Sequence, residues 1–285
     1  TTEIYTFPYT TLFRSALAAM RKYCGIFRTA LANQLEYRVN FISSFLFSLA
    51  PFGVNTLLWI AAARGNDGMP LGTEGIVTYY FTTLIVSNIT STTSIFRISD
   101  DIRLGNLSQY LLKPYNYALY QLMTDMPQRA VFVVMNAVPL AVLYALLRRY
   151  IVPHPAGISL SKAAIFAAFL LVGYLINFLV DFSISLYSFY FSRVSSLYTS
   201  IRVLRNISAG IVFPLMLLPD APFTFLIRLP FAYTNYIPTT FLMGMLSERE
   251  ALFCLSKAAG WVLLLAAGCA VLWKKGMRRY SAYGG

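Results

Sequence analysis

The stretch AAIFAAFLLVGYLINFLVDFSISLYSFYF, residues Ala163–Phe191, decides the fold class, because it is long, apolar and interrupted by a single charge, Asp181. A helix needs about 20 predominantly apolar residues to cross the hydrocarbon core of a bilayer. Similar runs recur along the chain, which is 58% hydrophobic and only 12% charged. Ordinary soluble domains carry about 25% charged residues. The sequence therefore predicts an all-α, polytopic integral membrane protein.

Six transmembrane helices can be assigned from these runs. They are 40–63, 76–96, 130–147, 163–191, 199–218 and 252–273. The fifth carries Arg202 and Arg205 in its first two turns, and both side chains would have to snorkel to the nearer interface. A seventh apolar stretch, Phe223–Leu246, contains Pro230 and Pro238, which prevent an unbroken hydrogen-bonded helix in lipid. We expect this stretch to form an outer re-entrant or interfacial hairpin.

Basic residues predict the orientation of the chain. With six spans and a cytoplasmic N terminus, the inner segments hold about twice as many Lys and Arg residues as the outer ones. Both termini are therefore predicted to be cytoplasmic. The net charge of +12 comes from clusters next to the spans, which we expect to contact anionic membrane lipid. Nucleic-acid binding is not expected, because the sequence offers no soluble domain with a basic face.

The segment before the first span has two parts. Residues 1–15, TTEIYTFPYTTLFRS, differ in character from the rest, and we interpret them as a non-native leader, with a genuine extension as the alternative. Residues 16–285 are predicted to form a single transmembrane domain. An N-terminal amphipathic helix is predicted from Ala16 to Arg38, lying in the plane of the inner leaflet. Its apolar stripe consists of Leu17, Met20, Cys24, Phe27, Leu31 and Leu35.

Residues that could carry out catalysis or bind a metal are scarce. The chain has no phosphate-binding P-loop motif. His154 lies between two prolines in an outer loop without companion ligands, which favours a solvated side chain over a metal ligand. Asp100 and Asp101 are adjacent and would point about 100° apart on a helix, so they do not form a facing acid pair. The sequence therefore predicts neither an enzyme nor a metal site.

Polar side chains mark two of the predicted spans. Asn177, Asp181, Ser185 and Ser188 recur at steps of four, four and three residues, which predicts a stripe that faces the bundle interior or a partner subunit. We favour interhelical hydrogen bonding for this stripe; a proton or cation relay, or contact with a cationic substrate, is the alternative. Residues 82–94, TTLIVSNITSTTS, include Asn88 and are dense in small polar side chains. Close helix packing is favoured there over a polar passage.

A polar segment, predicted as a loop over 97–127, separates the second and third spans. It contains RISDDIRLGNLSQYLLKPYN, Arg97–Asn116, in which Asn106 could cap a short helix that Pro114 ends. Such a helix can lie on lipid or dock on another protein, and the spacing alone does not separate these alternatives. Its apolar face carries Leu107, Tyr110 and Leu111.

Three runs resemble a prokaryotic family of type-2 ABC exporter permeases. The family's signature loop has an acidic–Ile–Arg start, a Gly and a Leu-x-x-x-Leu-Leu-[Lys/Arg]-Pro helix, and Ser99–Tyr120 is similar to it. Leu229–Gly244 resembles the family's outer Pro-Phe-x-Tyr-x-x-Tyr-x-Pro segment, and Lys274–Gly285 its Gly-x-[Arg]-Arg-Tyr…Gly-Gly end. The resemblance extends from about Met20 to Gly285. The matching loop positions are Asp101, Ile102, Arg103, Gly105, Leu107, Leu111, Leu112, Lys113 and Pro114.

The resemblance implies the permease subunit of an ATP-driven exporter in a prokaryotic plasma (inner) membrane. Two permease subunits, identical or paralogous, would pair above two ATPase subunits that bind ATP and Mg²⁺, so no cofactor is expected on this chain. The loop between spans two and three would couple the permease to the ATPase, with Leu107, Tyr110 and Leu111 as apolar anchors. The implied coupling residues are Asp101, Arg103, Gly105, Leu107, Tyr110, Leu111, Lys113 and Pro114.

Asp181 belongs to none of the three motifs. An ATP-independent, ion-coupled carrier or channel that uses Asp181 is therefore the alternative function. The polar residues expected in the pathway or the bundle interior are Asn88, Asn177, Asp181 and Ser185.

Overall fold

The computed structural model describes residues 9–36, 38–64, 69–152, 159–191 and 193–280, with side chains described from Met20 onward except for 36, 38–42 and 44. The described residues form helices and no strand, which confirms the all-α prediction. The helices are α1 Tyr9–Glu36, α2 Arg38–Arg64, α3 Thr73–Thr90, α4 Ile95–Arg103, α5 Leu107–Leu111, α6 Tyr117–Leu147, α7 Leu160–Leu186, α8 Ser195–Ser208, α9 Asp220–Leu226, α10 Tyr236–Leu242 and α11 Glu248–Met277.

Four of the described helices are long and apolar enough to cross a membrane. They cover Phe45–Arg64, Tyr117–Leu147, Leu160–Phe189 and Glu248–Met277, and correspond to the first, third, fourth and sixth predicted spans. The third begins well before the predicted residue 130, because polar residues near its start lie inside the bundle. The chain is thus a multi-pass membrane protein.

The second and fifth predicted spans differ from the structure. The helix predicted for 76–96 ends at Thr90 and resumes as α4 after a break at 91–94. The continuous helix predicted for 199–218 is wrong, because α8 ends at Ser208. Its 14 residues reach about 21 Å, less than the roughly 30 Å of a hydrocarbon core.

A positive backbone angle stops α8 from continuing. Gly210 has φ +73°, a conformation that side chains disfavour. A Cβ atom at Gly210 would also lie 2.6 Å from the hydroxyl of Tyr79, which donates a 2.6 Å hydrogen bond to the Gly210 carbonyl. Tyr79 is fully buried in α3. The end of α8 is therefore fixed against α3.

The proline-containing stretch 223–246 is broken into short helices. It comprises the end of α9, a 3₁₀ turn at Pro230–Thr234, and α10, and its second half is buried against α3 and α7. Gly173 permits the closest approach, since a Cβ atom there would lie 3.2 Å from the Cα of Thr234. The interruption by prolines agrees with the sequence, whereas the re-entrant placement stays a prediction.

Helix α7 lies at the centre of the bundle. It packs against α11, α3, α4 and the 3₁₀ turn at 230–234, and Phe169 and Ile176 are fully buried in the main core. Helix α1 packs along α6 through half-buried side chains that include Tyr23 and Phe27. Met20, from the predicted apolar stripe of α1, is exposed. The in-plane position of α1 stays a prediction. The first residues of α1, 9–15, overlap the predicted leader, and their side chains lie outside the described part of the structure. His154 also lies outside the described residues.

Candidate functional site

The segment between α3 and α6 folds back sharply between α4 and α5. Gly105 has φ +78°, so the left-handed conformation that a glycine tolerates makes the reversal. The Asn106 side chain does not cap α5. Instead Asn116 caps α6 by accepting a 3.1 Å hydrogen bond from the amide of Leu119. The loop predicted over 97–127 is therefore largely helical, and we call residues 95–116 the coupling segment, after the role that the resemblance predicts for it.

One predicted anchor of the coupling segment faces inward. Leu107 is 0% exposed and packs with Ile98, Ile102 and Phe178 in a second apolar core. The prediction that Leu107 contacts a partner is therefore wrong: the three-residue period identified the apolar face of α5, but that face covers α7. Tyr110 is half-buried and makes ring contacts with two tyrosines of the α6 start.

Asp101 links the coupling segment to α6 from the inside. Its carboxylate accepts hydrogen bonds from the Tyr117 hydroxyl at 2.7 Å and the Gln121 side chain at 3.1 Å. Burial raises the pKa of the Asp101 carboxyl above its ordinary value, and the Tyr117 hydrogen bond opposes that shift. Asp101 therefore orients α4 on α6 and does not face solvent.

The C-terminal motif reaches the same turn. The Tyr280 hydroxyl donates to the Gly105 carbonyl at 2.8 Å and accepts from the Ser108 amide at 3.1 Å. Gly276 makes the approach of α11 possible, because a Cβ atom there would lie 2.2 Å from the ring of Phe189. Two motifs thus meet at the α4–α5 turn through residues that are 172 and 175 positions apart in the chain.

The outward side of the coupling segment is apolar with a basic rim. Leu104 and Leu111 are exposed, and Leu112 is 88% exposed. Arg103 makes a surface ion pair with Asp100 at 3.0 Å, and the Lys113 ammonium lies 5.7 Å from the centre of the Tyr110 ring. We call Leu104, Leu111 and Leu112 the exposed leucine patch.

Helix α1 braces the end of the coupling segment. The Lys22 ammonium donates to the carbonyl of Pro114, and the amide of Asn116 donates to the Tyr23 hydroxyl at 3.0 Å. The residue that ends the α5 region is thus held by the helix that precedes the first span.

A polar cluster fills the break between α3 and α4. Asp181 is fully buried, forms a 3.0 Å ion pair with Arg205 of α8, and accepts a hydrogen bond from Thr92 in the break. It lies about one and a half turns before the end of α7 rather than at mid-helix. Asn177 donates to the Thr90 carbonyl at 2.9 Å, so it satisfies a backbone group that the break leaves open.

A second buried carboxylate in this cluster has no counterpart in the sequence prediction. Asp125 of α6 accepts from the Thr93 amide at 3.1 Å, from the Thr93 hydroxyl at 3.0 Å and from the Tyr174 hydroxyl at 3.0 Å. The sequence prediction places Asp125 in the polar loop over 97–127. We call Asp125, Asp181, Arg205, Thr92 and Thr93 the break cluster.

The remaining predicted polar residues divide between two places. Ser185 is fully buried and donates back to the Phe182 carbonyl at 2.7 Å. Asn88 donates to the Leu84 carbonyl at 2.8 Å and lines a cavity of about 180 Å³ between α2 and α3, along the helix for which the sequence left a polar passage as the alternative to close packing. Polar residues that share this cavity include Ser48, Asn55, Thr83, Ser87 and Ser91.

Residues 72–284 match the sequence profile of the ABC-2 family transporter proteins. The matched region contains the coupling segment, the break cluster and the Tyr280 contact. The chain belongs to the ABC-2 transporter family. A comparison with curated proteins finds no match.

Family membership makes the chain the permease subunit of an ABC transporter. An ABC-2 permease is a transport component and works with an ABC ATPase subunit. In this permease the coupling segment and the break cluster are adjacent, since the break at 91–94 leads directly into α4.

Proposed function

We propose that the chain forms one half of an ATP-driven exporter, in which two permease subunits pair and two ATPase subunits dock on their coupling segments. The observation that carries this proposal is the exposed leucine patch. Three large apolar side chains face outward on a segment whose interior is tied to three other helices. Exposed apolar groups on a rigid support suit a protein partner better than open solvent.

The contacts inside the coupling segment supply a route for force. A push on α5 would reach α6 through Asp101, α7 through the packing of Leu107, and α11 through Tyr280. The segment would therefore move as one body with the inner ends of these helices. Alternating access by rigid-body motion is the mechanism that such an arrangement favours.

The break between α3 and α4 would act as the pivot of that motion. Backbone groups freed by the break are held by side chains of α6 and α7, namely Asp125 and Asn177. Exchange of these hydrogen bonds would allow α4 to rotate relative to α3 without leaving buried polar groups unpaired. The outer hairpin at 223–246 would form the lid at the other end of the pathway.

Docking can be tested by co-purification with a tagged ATPase encoded beside this gene. Arginine substitutions at Leu111 and Leu112 place charge in the patch without touching the apolar core. Central apolar contacts of an interface are often worth about 1–2 kcal/mol or more each. We therefore expect the Leu111→Arg/Leu112→Arg variant to retain at least about tenfold less ATPase than wild type.

Leu160→Arg is the matched control. Leu160 is 88% exposed, as is Leu112, but lies at the opposite end of α7 from the coupling segment. This control should retain the ATPase at the wild-type level and insert normally. Equal retention by wild type and the Leu111→Arg/Leu112→Arg variant would contradict docking at the patch, and an equal loss in Leu160→Arg would attribute the loss to folding.

A further inference from the structure

A second cavity, of about 590 Å³, lies at the end of the bundle away from the coupling segment. It is formed by the broken hairpin on one side and the first half of α11 on the other. Ile227, Gly260 and Leu264 give it apolar walls, and two cations, Arg228 and Lys257, border it. Because α11 runs from this end to the Tyr280 contact, the cavity faces the leaflet opposite the coupling segment.

Aromatic neighbours contact the backbone of Arg228 and the side chain of Lys257. The Trp261 indole donates a 3.2 Å hydrogen bond to the carbonyl of Arg228, which pins the end of the α9 region to α11. Lys257 lies one turn before Trp261, and its ammonium is 4.2 Å from the centre of the Phe253 ring. The two positive charges therefore border one cavity from two different elements.

The charge around this cavity is unbalanced. In the part of the chain that the structure describes, the ion pairs are Arg103–Asp100 and Arg205–Asp181, so neither cavity cation has a carboxylate partner. The cavity wall contains no acidic residue among those described. Glu250 and Glu248, near the start of α11, accept hydrogen bonds from Ser247 and Ser161 and lie outside the cavity wall.

An unpaired cation on a membrane-spanning helix is costly unless it reaches water, an anion or a headgroup. Lys257 is exposed about two and a half turns inside α11, next to apolar side chains that would face lipid tails. A phosphate at this position would neutralise both cations. An acyl chain would then follow the groove where a Cβ atom at Gly260 meets open space.

We propose that Arg228 and Lys257 bind the headgroup phosphate of an anionic lipid, whose acyl chain lies along Gly260 and Leu264. A free phosphate ion would use the two charges but leave the apolar walls of a 590 Å³ cavity against water. A lipid would contact the two cations with its phosphate and the apolar walls with its acyl chain. This site borders the proposed lid and does not depend on ATPase docking.

The test is native mass spectrometry of the purified chain with added phosphatidylglycerol, phosphatidylcholine or inorganic phosphate. Wild type should retain phosphatidylglycerol in preference to phosphatidylcholine. Since a cation near a lipid surface contributes about a fivefold gain in binding, each of Arg228→Gln and Lys257→Gln should lower phosphatidylglycerol retention about fivefold. Arg249→Gln, an exposed cation outside the cavity wall, should leave retention unchanged.

A pair of glycine variants tests the acyl-chain groove. A Cβ atom added to Gly260 or to Gly268 meets open space, but only Gly260 belongs to the cavity wall. Gly260→Leu should therefore reduce lipid retention, and Gly268→Leu should not. Unchanged retention in the Arg228→Gln/Lys257→Gln double variant would overturn the proposal. Displacement of the lipid by millimolar inorganic phosphate would also overturn it, in favour of a free-anion site.

Discussion

Disruption of the ion pair between Asp181 and Arg205 can distinguish a structural role of this pair from a role in ion coupling. The Asp181 side chain is fully buried and that of Arg205 is 14% exposed, with a 3.0 Å contact between them. Removal of one partner of a buried pair leaves the other charge unpaired, which typically costs about 3–5 kcal/mol. For a chain of this size, 1 kcal/mol corresponds to about 2 °C in the unfolding midpoint. Asp181→Asn should therefore unfold about 6–10 °C below wild type.

The assay is thermal unfolding in detergent, followed by intrinsic fluorescence, for Asp181→Asn, Arg205→Gln and the double variant. If the two side chains stabilise each other, the double variant should lose less than the sum of the single variants, by about 1–3 kcal/mol. Asp100→Asn is the matched control, because its pair with Arg103 is half-exposed and should contribute less than about 1 kcal/mol.

Additive losses would refute the structural interpretation of this pair, as would a midpoint for Asp181→Asn that equals that of Asp100→Asn. The alternative of an ion-coupled carrier predicts a different outcome. There, Asp181→Asn would leave the midpoint near wild type and would abolish the pH dependence of transport or the transport of cations. Purified protein in vesicles, with and without ATP, provides that measurement.

Three further predictions follow from the coupling segment and the end of α8. Tyr280→Phe removes two hydrogen bonds at the α4–α5 turn, worth about 1–3 kcal/mol together, so hydrogen exchange of the backbone amides in this turn should accelerate about tenfold. An unchanged exchange rate would show that the Tyr280 hydroxyl does not stabilise the turn. Burial raises the pKa of Asp101, so the folded state binds a proton more readily than the unfolded state, and the contribution of Asp101 to stability should fall as pH rises through its folded pKa. Unfolding midpoints from about pH 4 to about pH 8 should show a smaller decline in Asp101→Asn than in wild type, and parallel curves would contradict this. Gly210→Ala should lower the free energy of unfolding by about 1–3 kcal/mol, because Gly210 has a positive φ and lies against α3. Gly25→Ala, whose added Cβ atom meets open space, should be neutral or stabilising. Equal unfolding midpoints for the two variants would contradict the prediction for Gly210.

The long apolar helices were the part of this fold that the sequence predicted best. The run 163–191 is predicted to span the membrane, and it overlaps the central helix α7. Of the predicted polar stripe, Asn177, Asp181 and Ser185 are buried in α7, and Ser188, just beyond the end of the helix, is half-buried. Periodicity works here because a helix in a bundle fixes which residues share a face.

The break after α3 was harder to predict because Ser and Thr have two possible roles. In a packed helix their hydroxyls bond back to carbonyls of the preceding turn, as Thr90 does to Val86. The same side chains also stabilise non-helical backbone. The role depends on whether a hydrogen-bond acceptor such as Asp125 lies nearby on another helix. Such a contact is set by tertiary packing and cannot be derived from the local sequence.

The same limit explains the error at Leu107 and the omission of Asp125. Apolar spacing in α5 shows that Leu107 and Leu111 share a side, but α7 covers the first and leaves the second exposed. Asp125 falls inside the loop that the sequence predicts over 97–127. Its two hydroxyl donors come from distant parts of the chain, so the local sequence cannot reveal them.

The motif positions in the coupling segment fall into two physical classes. The first is explained by folding alone: Gly105 supplies a positive φ, and Asp101 and Leu107 are buried with their contacts satisfied. The second is not, because Leu112 is 88% exposed and Leu111 is 43% exposed, so burial within one chain does not account for these two leucines. A motif that combines an internal brace with unpaired outward apolar groups is what a docking surface requires. The exposed leucines, rather than the buried face of α5, are therefore where a search for the ATPase contact should begin.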